Sequence, residues 1–314
     1  MEGIVQEEKQ FNGGIIMNGL NLGIVAAFGT ALCWTVTAVA FESAGKKVGS
    51  LAVNLIRLII AFILLSVFNL FTRGMILPLD ASGTAWIWLT ISGIIGFVIG
   101  DLFLFQAYVE IGSRVSMLIM SSVPPITALT GFILMGEKIS LLGLVGMFIT
   151  MGGIIVVIFS KNPEDKKVKL NHSAKGMLYA FIGALGQAFG LVFSKFGMGS
   201  YNPFAATQIR IIAAIIGFSA VITVWKRWGE LKVAIKNKEA IKRISVGSFF
   251  GPFIGVSLSL LAVQYAPTGI VSTITSITPI LVIPAAIFIF KEKVLPREIA
   301  GAVIALVGVS LLFL

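Results

Sequence analysis

Charged side chains are scarce in this 314-residue sequence: 12% of the total, against 57% hydrophobic. A soluble domain carries about 25%. Half that share cannot coat a 33.5 kDa globule, and the mean hydropathy of +1.00 agrees, so a water-soluble fold is excluded. Cysteine is nearly absent. Cys33 stands alone in an apolar run, so no intramolecular disulfide can form and the redox compartment cannot be read. Histidine is as rare, with only His172 in a polar stretch. No CxxC, HExxH, P-loop or GxSxG pattern occurs. No nucleophile–base set or metal cluster stands in the apolar runs, so neither an enzyme nor a resident cofactor or metal is expected. Glu2, Glu7 and Glu8 give the first residues the wrong charge for a signal peptide.

What the chain has is apolar length. A membrane helix needs roughly 20 mostly apolar residues. Ten such runs lie at 22–44, 50–71, 85–109, 114–135, 141–160, 176–197, 204–225, 246–266, 269–290 and 298–314. The expected fold is an all-α polytopic membrane protein. Two connections are long and polar, 161–175 and 226–243; the second can hold a short amphipathic helix on the membrane surface.

The chain repeats itself. Arg57 in LAVNLIRLIIA and Arg210 in FAATQIRIIAA stand 153 residues apart, as do Gly23 and Gly176, Ala27 and Ala180, and Ala31 and Ala184. Further on the offset becomes 155, pairing Gly96 with Gly251, Gly100 with Gly255, Pro124 with Pro279, Glu137 with Glu292 and Gly153 with Gly308. The reading is an N-terminal tail at 1–20, a five-helix repeat at 21–160, a linker at 161–175 and a second repeat at 176–314. Five is odd, so the second copy is expected to enter the membrane inverted, with a solute site at the repeat interface near the midplane.

The net charge is +10. It does not mark nucleic-acid binding, because it is one-sided. With ten alternating helices, 18 of the 22 loop Lys and Arg fall on the face opposite the termini. Positive loops stay in the cytoplasm. The termini are therefore expected outside, and loops 161–175 and 226–243 inside, in a cell membrane.

Family motifs follow from the repeats. ALCWTVTAVAFESAGKKVGSLAVNLIRLIIAFILL resembles the opening of an EamA domain, with a tryptophan in its first helix and an arginine in its second. SSVPPITALTGFILMGEKISLLGLVGMFITMGGIIVVI is similar to its close, and TSITPILVIPAAIFIFKEKVLPREIAGAVIALVGVSLLFL repeats that close. The chain resembles a ten-helix member of the drug/metabolite transporter superfamily across about 20–314. The resemblance implies a secondary transporter, most often an exporter of metabolites, amino acids or drugs. It implies a central cavity between helices 1, 3, 4, 6, 8 and 9, with helices 5 and 10 peripheral. The second copy departs from the motif in carrying Gln187 where Trp34 stands in the first.

Asp101 is the one acid well inside a run, and its repeat mate is Val256. A carboxylate in lipid is costly and faces a cavity or a partner. It reads either as a proton-coupling or substrate-amine site, or as half of a charge pair with Arg57, which lies at matching depth. Arg57 and Arg210 read as snorkelling or helix-tying groups, or as anion sites, the latter stronger for Arg210, whose counterpart acid is missing. Glu42 is a further candidate to neutralise Arg57. Trp34, Gln187 and Gln106 are candidate cavity residues; packing and interhelical hydrogen bonds are their alternatives. Pro124, Pro125, Pro279 and Pro284 are expected to kink helices 4 and 9. GxxxG pairs at Gly96/Gly100, Gly186/Gly190 and Gly251/Gly255 permit close helix approach.

The expectation is a secondary active transporter of a small metabolite, amino acid or drug. It would work by alternating access, with export coupled to protons through Asp101. An uncoupled facilitator or exchanger and a duplicated channel are the alternatives. Its partners would be a small-molecule solute and lipid, and not nucleic acid; oligomeric state stays open.

Overall fold

The computed structural model describes the backbone at 2–135, 140–158, 173–266, 268–291 and 294–312, with side chains of the first helix from residue 19 onward. Among the described residues all regular structure is helical. The first half runs α1 (Glu2–Val48), α2 (Ser50–Arg73), α3 (Gly83–Gly93), a π-helical segment (Ile94–Gly100), α4 (Asp101–Met120), α5 (Val123–Met135) and α6 (Leu141–Ile158). The second runs α7 (Ala174–Met198), α8 (Pro203–Val224), α9 (Trp228–Lys236), α10 (Lys238–Ser248), a second π segment (Phe249–Gly255), α11 (Val256–Tyr265), α12 (Thr268–Thr275), α13 (Thr278–Phe290) and α14 (Pro296–Leu312).

Among the described residues six stretches are long and apolar enough to cross a membrane: Gly19–Val48, Ser50–Arg73, Gly83–Met120, Ala174–Met198, Pro203–Val224 and Lys238–Tyr265. Leu141–Val157 and Thr278–Phe290 are shorter apolar helices. The burial pattern is that of a protein in lipid. In α2 the buried side includes Asn54, Arg57 and Asn69, while Ile59, Ile63, Val67 and Leu70 face out at helical spacing. A helix in water would turn the other way.

Local chemistry sets the ends. Asn202 caps α8, its carboxamide oxygen accepting from the N–H groups of Phe204 and Ala205, and Pro203 opens the first turn, where its missing donor costs nothing. Ser173 caps α7 and Asn237 caps α10 in the same way. Gly74 closes α2 in the left-handed conformation. Within Asp101–Met120 the backbone turns at Gly112 (φ 80°, ψ 160°), a conformation that favours glycine. The N–H of Ser113, freed by that turn, donates to Glu42.

Three expectations need correction. Pro124, Pro125 and Pro279 do not stand inside continuous helices. Helix 4 is broken at Ser121–Ser122, with Pro124 and Pro125 in the first turn of α5; helix 9 is broken between α12 and α13, with Pro279 at the start of α13. Proline is tolerated there because first-turn N–H groups have no helical acceptor. Pro284 lies inside α13 with its ring exposed. The run placed at 246–266 starts earlier, since α10 begins at Lys238, and the surface helix in the preceding loop is α9. Glu42 does not neutralise Arg57, because its carboxylate is taken by Lys46 and Ser113 N–H. Glu137, Glu292, most of the 161–175 linker and His172 lie outside the described residues.

The π segments fall at matching repeat positions, 94–100 and 249–255. Each holds one GxxxG pair, and each packs on a first helix of the other half. A Cβ at Gly186 of α7 would meet the Cα of Gly100 at 2.5 Å, and one at Gly190 would meet the Cα of Gly96 at 2.9 Å. At the equivalent crossing, Gly255 faces Cys33 and Gly251 faces Thr37, both on α1. Backbones this close lock the two halves together around their centre. α6 and α14 pack on each other, outside that centre, again through glycine: a Cβ at Gly153 would lie 2.5 Å from Ala305 N and 2.6 Å from Gly301 O.

Candidate functional site

A cavity of about 150 Å³ lies at the centre. Its wall is drawn from α1, α2, α4, α5, α7, α8, α11, α12 and α13, while the described residues of α3, α6 and α14 stay off it, and both helix breaks open onto it through Ser121, Pro124, Ser276 and Pro279. Broken helices are tolerated at membrane depth where the freed backbone lines a cavity. Both π segments also reach it, through Phe97 and Pro252. A π turn leaves carbonyls out of register and is common at functional sites.

Among the described residues three charged side chains line this cavity: Arg57, Asp101 and Arg210. Asp101, 3% exposed, is the first residue after the first π segment. Its Oδ2 accepts from Arg57 Nη2 at 2.5 Å, and its Oδ1 accepts from Gln187 Nε2 at 2.6 Å. Gln187 also donates to the carbonyl of Gly96 at 3.3 Å, inside the π segment. Asn54, fully buried, completes the frame: its Oδ1 accepts from Arg57 Nε, and its Nδ2 donates to the Asp101 carbonyl. The Arg57 guanidinium lies 4.4 Å from the ring centre of Phe105. Both carboxylate oxygens and the guanidinium are therefore engaged, as a buried ion pair requires.

Arg210 is different. It is 4% exposed, and its Nε has no hydrogen-bond partner. The contact that holds it is the face of Phe97, 4.6 Å from the guanidinium carbon. Phe97 thus stands between two cations, since Arg57 is 5.7 Å from the same ring.

The structure brings together Asp101, Arg57, Gln187, Arg210 and Trp34, with Pro124 and Pro279 on the same wall. It does not bring Gln106 there. Gln106 sits on the outer side of α4, accepting from Ser50 and donating to Glu110. Pro125 and Pro284 also lie off the wall. Asn54, Phe97 and Phe105 belong to the site, yet sequence reasoning passed over them. Asn54 had a signal: it is one helical turn from Arg57.

A solute-sized cavity, walled by apolar helices and holding a few converging polar groups, is the form of a small-molecule site. The comparisons sharpen that class. The pattern of the EamA-like transporter family matches residues 21–159 and again 174–314. The chain belongs to this family. It is 32% identical over 105 residues to an uncharacterized inner membrane transporter of Escherichia coli K12, YhbE; that match spans 33% of this chain and 32% of the relative. It is 21% identical to an uncharacterized transporter of Archaeoglobus fulgidus across 93% of this chain and 98% of that one. A solved crystal structure covers 92% of this chain and 95% of its own, with a TM-score of 0.63 and 16% identity, a likeness of fold alone.

Proposed function

We propose that this integral membrane protein is a secondary active transporter. It moves a small metabolite, amino acid or drug across the cell membrane by alternating access, using ten spans arranged as two inverted five-helix repeats. One observation carries the reading: the central cavity lies where matched π segments and matched helix breaks from both sequence repeats meet. Broken helices at a repeat interface are the sites where such transporters bind solute.

Export is driven by protons through Asp101. Its carboxylate ties α4 to Arg57 on α2 and to Gln187 on α7. Protonation weakens both links at once, so it changes how firmly the helices are held and biases one conformation over the other. A facilitator or exchanger would use the same cavity with this cluster as fixed structure.

Proteoliposomes loaded with a pH-sensitive dye test the mechanism. A panel of amino acids, aromatic acids and aromatic amines is applied to wild type and Asp101→Asn. Saturable, solute-dependent proton movement is expected in wild type, and its loss in the variant. Solute flux with an unchanged rate and pH profile in a well-folded Asp101→Asn removes the coupling role. Single-channel currents remove the carrier reading.

A further inference from the structure

We infer, building on the transport reading above, that Arg210 is an anion subsite and that the solute is a small organic monoanion, a carboxylate on a flat or apolar body.

The charges on the cavity wall sum to +1. Arg57 and Asp101 cancel, and each Asp101 oxygen already accepts a hydrogen bond, one from Arg57 and one from Gln187. The remaining charge belongs to Arg210. No carboxylate among the described residues pairs with it, and its repeat-equivalent acid position is Val256. Asn54, which steadies Arg57, corresponds at the same offset to Thr207, whose hydroxyl donates instead to the carbonyl of Pro203. The second copy thus carries the arginine without either group that satisfies the first.

Burying an unpaired ion is costly even after relaxation. A single cation–π contact is weaker than that cost, so Phe97 offsets only part of it. An incoming carboxylate supplies the rest, since the guanidinium fork matches it with two parallel hydrogen bonds. The count of charges selects the ligand. A monoanion brings the cavity to neutrality, a dianion such as a phosphate monoester overshoots it, and a cation meets a like charge. The size fits too. A cavity of roughly 150 Å³ holds a benzene-sized body, and Trp34 and Leu191 offer flat and apolar wall on the same cavity as Gln187.

Calorimetry on the purified full chain at neutral pH tests the subsite. The probes are benzoate, benzamide, benzylamine, phenylglycine and phenyl phosphate. Benzoate is expected to bind at least about tenfold more tightly than each of the others. Arg210→Gln should remove that advantage, and Arg210→Lys should retain part of it. Equal affinity of benzoate and benzamide in wild type, no benzoate binding, or preference for benzylamine or phenyl phosphate overturns the assignment, whether or not Arg210→Gln folds. A zwitterion preference, phenylglycine over benzoate, overturns the monoanion class. Counterflow of labelled benzoate in proteoliposomes separates the two levels. Binding without counterflow sinks the transport reading and leaves the subsite; counterflow of benzylamine without benzoate binding does the reverse.

Discussion

The two copies of the unit carry the same arginine and treat it in opposite ways. Arg57 is held by a carboxylate, a carboxamide and an aromatic ring. Arg210 has a ring and a vacant Nε. Where the first copy has Asn54 and Asp101, the second has Thr207 and Val256. Gln187, in the slot of Trp34, reaches across to serve the first copy's acid. One copy holds its arginine in a hydrogen-bonded frame; the other leaves a donor of its arginine open.

Substitutions that treat the copies alike should expose the difference. Arg57→Gln strands the buried Asp101 without its cation and should cost about 3–5 kcal/mol of stability. The double variant with Asp101→Asn should recover much of that loss in thermal or denaturant unfolding. Arg210→Gln removes an unpaired buried cation, so it should leave ligand-free stability unchanged or raise it. Equal losses at the two positions would erase the distinction.

The glycine crossings offer a second contrast, of smaller size. At the α7 crossing backbone meets backbone, so Gly186→Ala should cost about 1–3 kcal/mol. At the α1 crossing a side chain already stands in the gap, and Cys33→Ala should cost about 1 kcal/mol or less. The order would be read from melting temperatures of purified variants, and a reversed order would mean the crossings are not built as described.

The smallest effect is expected at the helix ends. Asp80 accepts from the Tyr201 hydroxyl at 2.7 Å and pairs with Arg73, linking the two halves at the rim. The Tyr201 hydrogen bond, with help from Arg73, holds the Asp80 carboxyl below its usual value. Burial and the Asp80 carboxylate push the Tyr201 hydroxyl up to about 12, so it stays a donor through neutral pH. A depressed carboxyl stabilises the fold above its unfolded pKa of about 3.9 and loses that contribution as pH falls through the folded value. Asp80→Asn should therefore lower stability by at most about 1 kcal/mol at pH 7. The deficit should shrink as pH falls below the unfolded value and vanish below the lowered folded pKa, and one that persisted there would have another cause.

Much of this was legible in advance, for physical reasons. Apolar runs mark spans because lipid demands them, and Arg57 and Arg210 mark the repeat because charge in such runs is rare. Asp101 stood out on the same ground. The π segments were not legible. GxxxG reads as close packing, and nothing in residue spacing distinguishes a wide turn from an α turn. The helix breaks were half visible: Pro124 and Pro279 gave their place, but a first-turn proline and a mid-helix proline look alike until the preceding turn is seen. Gln106 was misplaced because polarity within a run does not say which side of the helix it takes. Phe97 stayed hidden because an aromatic in an apolar run has no contrast.

The pairing of α6 with α14 reaches beyond the cavity. Gly153 of one copy lies against Gly301 and Ala305 of the other, and Gly308 lies against Thr150 and Gly146. Each copy offers the other the same kind of surface in return, as identical subunits do in a twofold dimer. The polypeptide thus carries its own subunit interface. A chain nicked between residues 161 and 172 would remain one particle, its halves joined by shape where they had been joined by a peptide bond.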